Sequence, residues 1–487
     1  MRFKLPILRE DDSAFKIRYE LIMSTNSDQN PIHNGSFWFD SLDGLQCEEP
    51  GPLPTDVDIA IVGAGFTGMW TAYYLNRSNP NLDIAVFESN TVGFGASGRN
   101  GGWCMGWSQD LSDRLLDPNT QSDGMAIARA MEDTVDEIGR VCQAENIDCH
   151  FAKGGTLTIA TRPFDVEEYK AGIEHYYRLG FTEDDFIWLD EDDSRQRLNM
   201  TPNHGAVYTP HCASIHPARL VRGLGEVLRS KGIKIYEQTP VTEITPNKLV
   251  TLLGEVKAGK ILRATEGYTD SIKGQERKLI PLYSMMVATE PLPDTIWDEI
   301  GLRKRETFGD ERRQVIYGQR TMDNRFAFGG RGGYYFGSKR KAVIPTDDPD
   351  LDKVEAILRG LFPMLDGYKV TNRWGGLMGV NRHWKPCVSF DKSTGIGAAG
   401  GYTGEGVGAS NLAARMLADL VLGNDSDITH LAWVNDNAGK WEPEPFRWSG
   451  SQLLGWLAEA ADNAEMKSGK PSRLWGSIYK KLSHRLI

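Results

Sequence analysis

The pattern G-x-G-x-x-G occurs in this chain at Gly63/Gly65/Gly68, at Gly93/Gly95/Gly98 and at Gly395/Gly397/Gly400. The bare pattern is common, so its surroundings decide the chemistry. Only the first copy stands between a β-rich run, VDIAIVG, and a segment with helical spacing, FTGMWTAYYLNR. Only that copy is followed, about 20 residues on, by an acid that closes a second β-rich run, Glu88 of LDIAVFE. This spacing predicts a βαβ unit built to hold a dinucleotide. Gly63 allows the tight turn, Gly65 lets a pyrophosphate approach the backbone, Gly68 permits close helix packing, and the helix N-terminus presents N–H groups to the anion. Glu88 would accept hydrogen bonds from ribose hydroxyls and repel a 2′-phosphate, which disfavours NADP at this site.

The second copy, in GFGASGRNGGW, runs into more glycines and no helix, so it is expected to form a loop that brings backbone and Arg99 close to the nucleotide edge of the sheet. The third lies in TGIGAAGGYTGEGVGASNLAARMLADLVLG. A strand, turn and helix are present there without a following ribose acid. A helix N-terminus at Gly404 to Val407 would offer N–H groups and about half a positive charge to an anion. Arg99, Arg331 and Arg382 are candidates for gripping a carboxylate, because a guanidinium fork matches it in bidentate fashion; structural or surface roles compete with this at each. Trp103, Trp107, Trp374, Tyr317, Tyr334 and Trp384 are candidate aromatic walls, with cation–π attraction for an ammonium, against plain core packing. His204, His211 and His216 fit no standard metal spacing, and no metal is expected.

The elements that must position these residues follow from periodicity. Pro217 fits the first turn of an amphipathic helix, ARLVRGLGEVLRSKG, closed by Gly232 and followed by the strand IKIYE. Residues 111–201 have an acidic helical pattern, a hairpin-like GGTLTIAT and further helix. Residues 280–372 alternate β-rich segments with one helix, DLDKVEAILRGLF, as suits an antiparallel sheet walling a pocket. Residues 450–484 have the pattern of an appended helical tail.

Bulk properties exclude several classes. The chain has 487 residues, 40% hydrophobic and 25% charged, enough for two or three domains around sizeable cores. Its net charge of -11 and pI near 5.4 give no electrostatic support for nucleic-acid binding. Cys47, Cys104, Cys142, Cys149, Cys212 and Cys387 form no C-x-x-C pair or metal spacing and are expected to be free thiols in a reducing compartment. The N-terminus has charges every few residues and no apolar h-region, which predicts a cytoplasmic protein, and no membrane span is expected. Met23 opens a polar segment, so residues 1–22 are expected to be a loose arm or an extension before a later start.

Together VDIAIVGAGFTG, the FES acid, GASGRNGG, IHPARLVRGL with TPVTEI, ATEGYT and AAGGYTGEGVG resemble the FAD-dependent D-amino-acid oxidase and glycine oxidase superfamily, with most likeness to its gamma-glutamylputrescine oxidoreductase branch. The resemblance covers about residues 56–423. It implies an α/β fold with an α+β second domain: a Rossmann-like FAD-binding domain interleaved with an antiparallel-sheet substrate domain. The implied cofactor set is Gly63, Ala64, Gly65, Phe66, Thr67 and Gly68; Glu88 and Ser89; Ala96, Ser97, Arg99, Asn100, Gly101 and Gly102; Val241 on the adenine side and Gly267; and Thr403, Gly404, Glu405, Gly406 and Val407 at the flavin pyrimidine edge. A reduced flavin carries negative charge there, and stabilising it favours substrate oxidation. The chain also departs from some relatives. GASGRNGG lacks the histidine, and Leu377 and Met378 stand where others supply a cysteine, so FAD is expected to be non-covalent. RFAFGGR lacks the lysine that sarcosine-oxidase-like members use for oxygen, which leaves oxidase and dehydrogenase activity both open.

The expected domains are an arm at 1–53, partly disordered; the FAD domain at 54–110, 202–279 and 373–425; the substrate domain at 111–201 and 280–372; and a helical tail at 426–487. The expected activity is oxidation of the C–N bond of a small amine or amino acid to an imine, with Arg99, Arg331, Arg382 and Trp374 as candidate active-site residues. A flavoprotein monooxygenase using NAD(P)H and a non-catalytic flavin-binding subunit are the alternatives. The sequence carries no signal for oligomeric state.

Overall fold

The computed structural model describes residues 35–43, 51–341, 343–436 and 438–486. The expectations for residues 1–34, including the choice of start, and for Cys47 lie outside the described residues. Two sheets dominate. In the first, the strand Asp56–Val62 lies between Glu255–Arg263 and Ile84–Phe87, and the order continues to Ile396–Gly400 and Cys387–Asp391 on one side and Lys234–Tyr236 on the other. The central pairings are parallel. Helices Phe66–Ser78, Pro217–Ser230 and Gly406–Leu422 bury one face of this sheet. Continuous burial of the strand IAIV and of IAVF is what a parallel strand covered on both faces requires.

The second sheet runs, in spatial order, through the strands Val370–Val380, Ile280–Thr289, Phe326–Arg331, Ile316–Arg320, Thr307–Asp310, Thr156–Ile159, Ala206–Thr209 and Ile187–Leu189. Its pairings are antiparallel except that of Thr307–Asp310 with Thr156–Ile159. The fold is therefore α/β with an α+β second unit, as expected.

Several expected boundaries shift. The stretch GGTLTIAT is one strand and not a hairpin, because Thr156–Ile159 is flanked by strands from distant parts of the chain. Ala206–Thr209 and residues 373–380 of the strand Val370–Val380, expected in the FAD domain, pair within the antiparallel sheet. Helix Gln121–Ala144, assigned to the substrate domain, packs Ile127, Met131, Val135 and Ile138 into the nucleotide-side core beside helix Gly406–Leu422. Its apolar stripe fixes that it is buried, but not against which sheet.

The arm is buried at residues 36–39. Phe37, Trp38 and Phe39 are buried with Met286, Ala327 and Trp374. Cys142 and Cys149 bring their Sγ atoms to 3.6 Å as buried thiols. The tail forms helices Phe446–Ser468 and Trp475–Leu486. No helix among the described residues is long and apolar enough to cross a membrane.

Candidate active site: a cleft between the two sheets

The parallel register sets Val62 opposite Phe87, so Gly63 and Glu88 emerge side by side at the carboxyl ends of their strands. Gly63 N donates to Phe87 O at 2.8 Å, and Glu88 Oε2 accepts from Ala64 N at 2.8 Å. Glu88 Oε1 accepts from Asn90 N at 2.9 Å. Burial raises the Glu88 carboxyl above its usual range while these N–H bonds act to lower it. Gly63 has φ +105, and a Cβ there would lie 2.5 Å from Ala264 O; one on Gly68 would lie 1.9 Å from Gly63 O. Both positions exclude a side chain. At Gly65 a Cβ would meet only Ser97 Oγ, at 2.9 Å.

This turn opens helix Phe66–Ser78, whose first-turn N–H groups have no intrahelical acceptors. Ser97 Oγ accepts from Phe66 N at 2.8 Å, which ties the second glycine-rich loop to the first. Asn100 pins that loop: its Nδ2 donates to Ala96 O and Ser97 O at 3.1 and 3.0 Å, and its Oδ1 accepts from Gly102 N at 2.8 Å. The arm adds Trp38 Nε1 to Asn100 O at 2.8 Å and Ser36 Oγ to Gly98 O at 3.0 Å.

One cleft joins these pieces to the antiparallel sheet. Its nucleotide side is made by Phe66 and Thr67, by Ala96, Ser97, Arg99, Asn100 and Gly101, and by Thr403, Gly404, Glu405, Gly406 and Val407. Its sheet side carries Ser284, Tyr317, Arg331, Gly376 and Met378. Gly63, Gly65, Gly68, Glu88, Ser89, Gly102, Val241 and Gly267 lie outside this cleft. The turn and Glu88 form the far end of the nucleotide strand edge. Val241 shares an apolar cluster with Phe87, and Gly267 packs against Leu377.

The candidate side chains separate clearly. Arg99 is 1% exposed, with its guanidinium 4.4 Å from the centre of the Phe94 ring. Arg331 lines the cleft, and its guanidinium lies 5.5 Å from the Trp384 ring centre. Burial lowers the pKa of both. Arg382 does not line the cleft: it pairs with Glu442 at 3.0 Å and lies over Trp441, because the segment entering the tail brings its own carboxylate. Trp374 shares a strand face with Gly376 and Met378, but the loop roofs it, and its Nε1 donates to Arg99 O at 2.9 Å. It positions Arg99 and does not reach the cleft.

Two acids in the cleft had no signal in the periodicity. Glu266 Oε1 accepts from Gly401 N at 2.7 Å and Oε2 from Gly379 N at 2.9 Å. Burial nevertheless pushes it up to about 7, against these bonds and nearby Arg263. Glu405, beside the N-terminus of helix Gly406–Leu422, is pushed up to about 7 by burial alone. Tyr317, bonded to Ser284, is pushed up to about 12 by burial. Tyr402 OH meets Thr67 Oγ1 at 3.0 Å, joining the third glycine-rich segment to the first.

Elsewhere, Glu132, Asp185 and His211 converge. Arg129 bonds both carboxylates at 2.7 Å.

Residues 58–420 match the model of the FAD dependent oxidoreductase family, DAO. This chain belongs to that family. Gamma-glutamylputrescine oxidoreductase of Escherichia coli (strain K12) is 29% identical over 377 residues, 75% of this chain and 84% of that protein. The probable oxidoreductase OrdL of Haemophilus influenzae is 26% identical over 414 residues, 82% of this chain and 90% of that protein. Among solved structures, glycine oxidase from Geobacillus kaustophilus superposes with a TM-score of 0.66 at 18% identity, covering 79% of this chain and all of that one. The protein is thus an FAD-dependent oxidoreductase, and the excluded Cβ positions at Gly63 and Gly68, with Glu88 beside them, fit that cofactor.

Proposed function

We propose that this flavoenzyme oxidises the C–N bond of a small amine or amino acid to an imine, which water then hydrolyses, with FAD held non-covalently. The observation that carries this reading is the single cleft that joins the nucleotide turn's loop to the inner face of the antiparallel sheet. The names of the gamma-glutamylputrescine and glycine enzymes support the substrate class. Bound FAD would supply a two-electron acceptor, taking a hydride from the carbon that carries the amine.

The protein's own residues bind, orient and exclude water. The backbone of Ala64 to Gly68 and the Glu88 carboxylate hold the adenosine diphosphate half. Arg331, at the sheet side, holds a substrate carboxylate, and Arg99, buried under the loop, supplies positive charge to the cleft. Gly404 to Val407 direct a helix N-terminus toward the flavin edge that becomes negative. The upward shift of Glu405 to about 7 suits this placement, since its protonated fraction at neutral pH leaves that positive end less compensated. Non-covalent attachment is supported by a lining with neither His nor Cys among the described residues.

Anaerobic mixing of the yellow protein with a panel of amines and amino acids tests the reading. Bleaching of the flavin by an amine, with release of the carbonyl product, is the expected result, and a peroxide assay in air then separates oxidase from dehydrogenase activity. Consumption of NADPH without bleaching by any amine would select a hydroxylase. Protein that stays colourless with added FAD would select a non-catalytic role.

A further inference from the structure

Beyond the family match, which ends at residue 420, the tail builds a second cavity of about 710 Å³, within the range of ligand sites. One wall is the antiparallel sheet at Leu282 and Gly330 to Gly333; the other is helix Phe446–Ser468, with Trp384, Trp441 and Tyr334 between them. Arg331 lines both this chamber and the flavin cleft, so it stands at their junction.

Charge accounting singles out Arg331. Arg162 pairs with Asp165 and Glu465, Arg312 with Asp310, Arg313 with Asp462 and Glu465, and Arg447 with Glu444. The Arg331 guanidinium has no carboxylate within ion-pair distance among the described residues. Asp462 acts on it only from beyond that distance, so this half-buried cation in the cavity wall is left for a ligand carboxylate to meet.

The tail helix also keeps the space open. Gly450 and Gly455 lie inside it and line the chamber, and a Cβ on either would have nothing within 4 Å. Glycine in a helix interior costs about 1 kcal/mol relative to alanine, and here no close packing requires it. The wall is firmly held as well, since Glu465 accepts from Arg162 at 2.7 Å and from Arg313 at 2.7 and 3.0 Å.

We propose that the tail chamber is a specificity site for an elongated carboxylated amine: Arg331 grips the carboxylate at the junction, and the rest of the molecule lies against the chamber's aromatic walls. This rests on the amine-oxidation reading and names its substrate class, one larger than glycine or a simple alkylamine.

Titration of the flavin-loaded protein with 5-phenylpentanoate, which has no amine to oxidise, tests the chamber without turnover. Quenching of tryptophan fluorescence reports binding, because Trp384, Trp441 and Trp456 line the cavity. The expected result is at least tenfold tighter binding than acetate, weakened at least tenfold in Arg331→Met. The uncharged 5-phenylpentanamide should bind that variant no more weakly than it binds the unaltered protein. The double variant Gly450→Phe/Gly455→Phe should lose tenfold or more for the carboxylate while keeping or raising its thermal midpoint, since both changes remove helix-interior glycines. Equal affinity for acetate, or unchanged affinity in either variant, overturns the proposal. If no amine bleaches the flavin while these affinities behave as stated, the amine-oxidation reading fails and the chamber as a carboxylate site stands.

Discussion

The nucleotide edge of the parallel sheet and the sheet side of the cleft are made from different materials. The nucleotide edge, where we propose that FAD is held, offers backbone: glycine turns, first-turn N–H groups and one acid placed by strand register. The sheet side, where we propose that substrate binds, offers side chains from strands far apart in the chain, Ser284, Tyr317, Arg331 and Met378, with a helical tail outside the family match beyond it. Backbone recognition needs contiguous sequence and leaves a spaced pattern. Side-chain recognition needs only that strands meet, and so leaves none. The nucleotide edge is expected to tolerate almost no change at its glycines, and the sheet side to change selectivity without loss of the fold.

The largest effect falls on Gly68. A Cβ there sits 1.9 Å from Gly63 O, and the neighbour is backbone that cannot rotate away. Gly68→Ala should destabilise the protein by about 3 kcal/mol or more and abolish co-purification of flavin. Gly65→Ala meets only the Ser97 hydroxyl, at 2.9 Å, so its unfolding midpoint should stay close to that of the unaltered protein while flavin content drops. Denaturant unfolding and the flavin-to-protein absorbance ratio separate the two. Equal destabilisation by both would mean that the two glycines share one packing role.

Glu465 probes the other region. It is 2% exposed and joins Arg162 and Arg313, and removing one partner from a buried charge network costs about 3–5 kcal/mol. In Glu465→Ala that cost should appear locally, as rapid proteolytic loss of the tail, with the nucleotide edge still holding flavin. Loss of flavin in step with the tail would show that the two regions are one cooperative unit.

What was legible in the sequence follows the same division. The βαβ unit, Glu88, and the helix beginning at Pro217 were all visible because local spacing fixes them. The packing of Phe37 to Phe39 under the second glycine-rich loop was missed, because a three-residue apolar cluster in a polar arm has no periodicity to measure. Arg331 and Arg382 are alike in sequence, each near an aromatic residue in a β-rich segment. Only the fold shows that one meets Glu442 and the other faces a cavity. Glu405 is expected at the flavin edge only through the resemblance, and Glu266 carries no expectation at all, because its burial depends on Gly379 and Gly401, which spacing cannot place.

Glu405 gives a smaller and pH-dependent effect. Its carboxyl is raised from 4.5 to about 7 in the folded protein, so between those values the folded state holds a proton that the unfolded chain releases. Stability of the flavin-free protein should therefore fall as pH rises through this interval and level off above it, by about 1–3 kcal/mol from this group. Glu266, shifted in the same direction, adds to the slope, so Glu405→Gln should flatten it only in part. Urea midpoints at intervals from pH 5 to 8 measure this. An unchanged slope in Glu405→Gln would mean that this carboxyl is solvated in the flavin-free protein.

The smallest effect is expected at Arg382, and it sharpens the contrast with Arg331 most directly. Its pair with Glu442 is at the surface, with side-chain exposures of 20% and 45%, and such pairs contribute about 0–1 kcal/mol. Its guanidinium is also outside the cleft lining, so Arg382→Ala should shift the unfolding midpoint slightly and change KM for a carboxylated amine by less than about twofold. A tenfold rise in KM with an unchanged kcat would mean that Arg382 leaves Glu442 when substrate binds. Both arginines would then grip the carboxylate, and the segment entering the tail would rearrange on binding instead of forming a fixed wall.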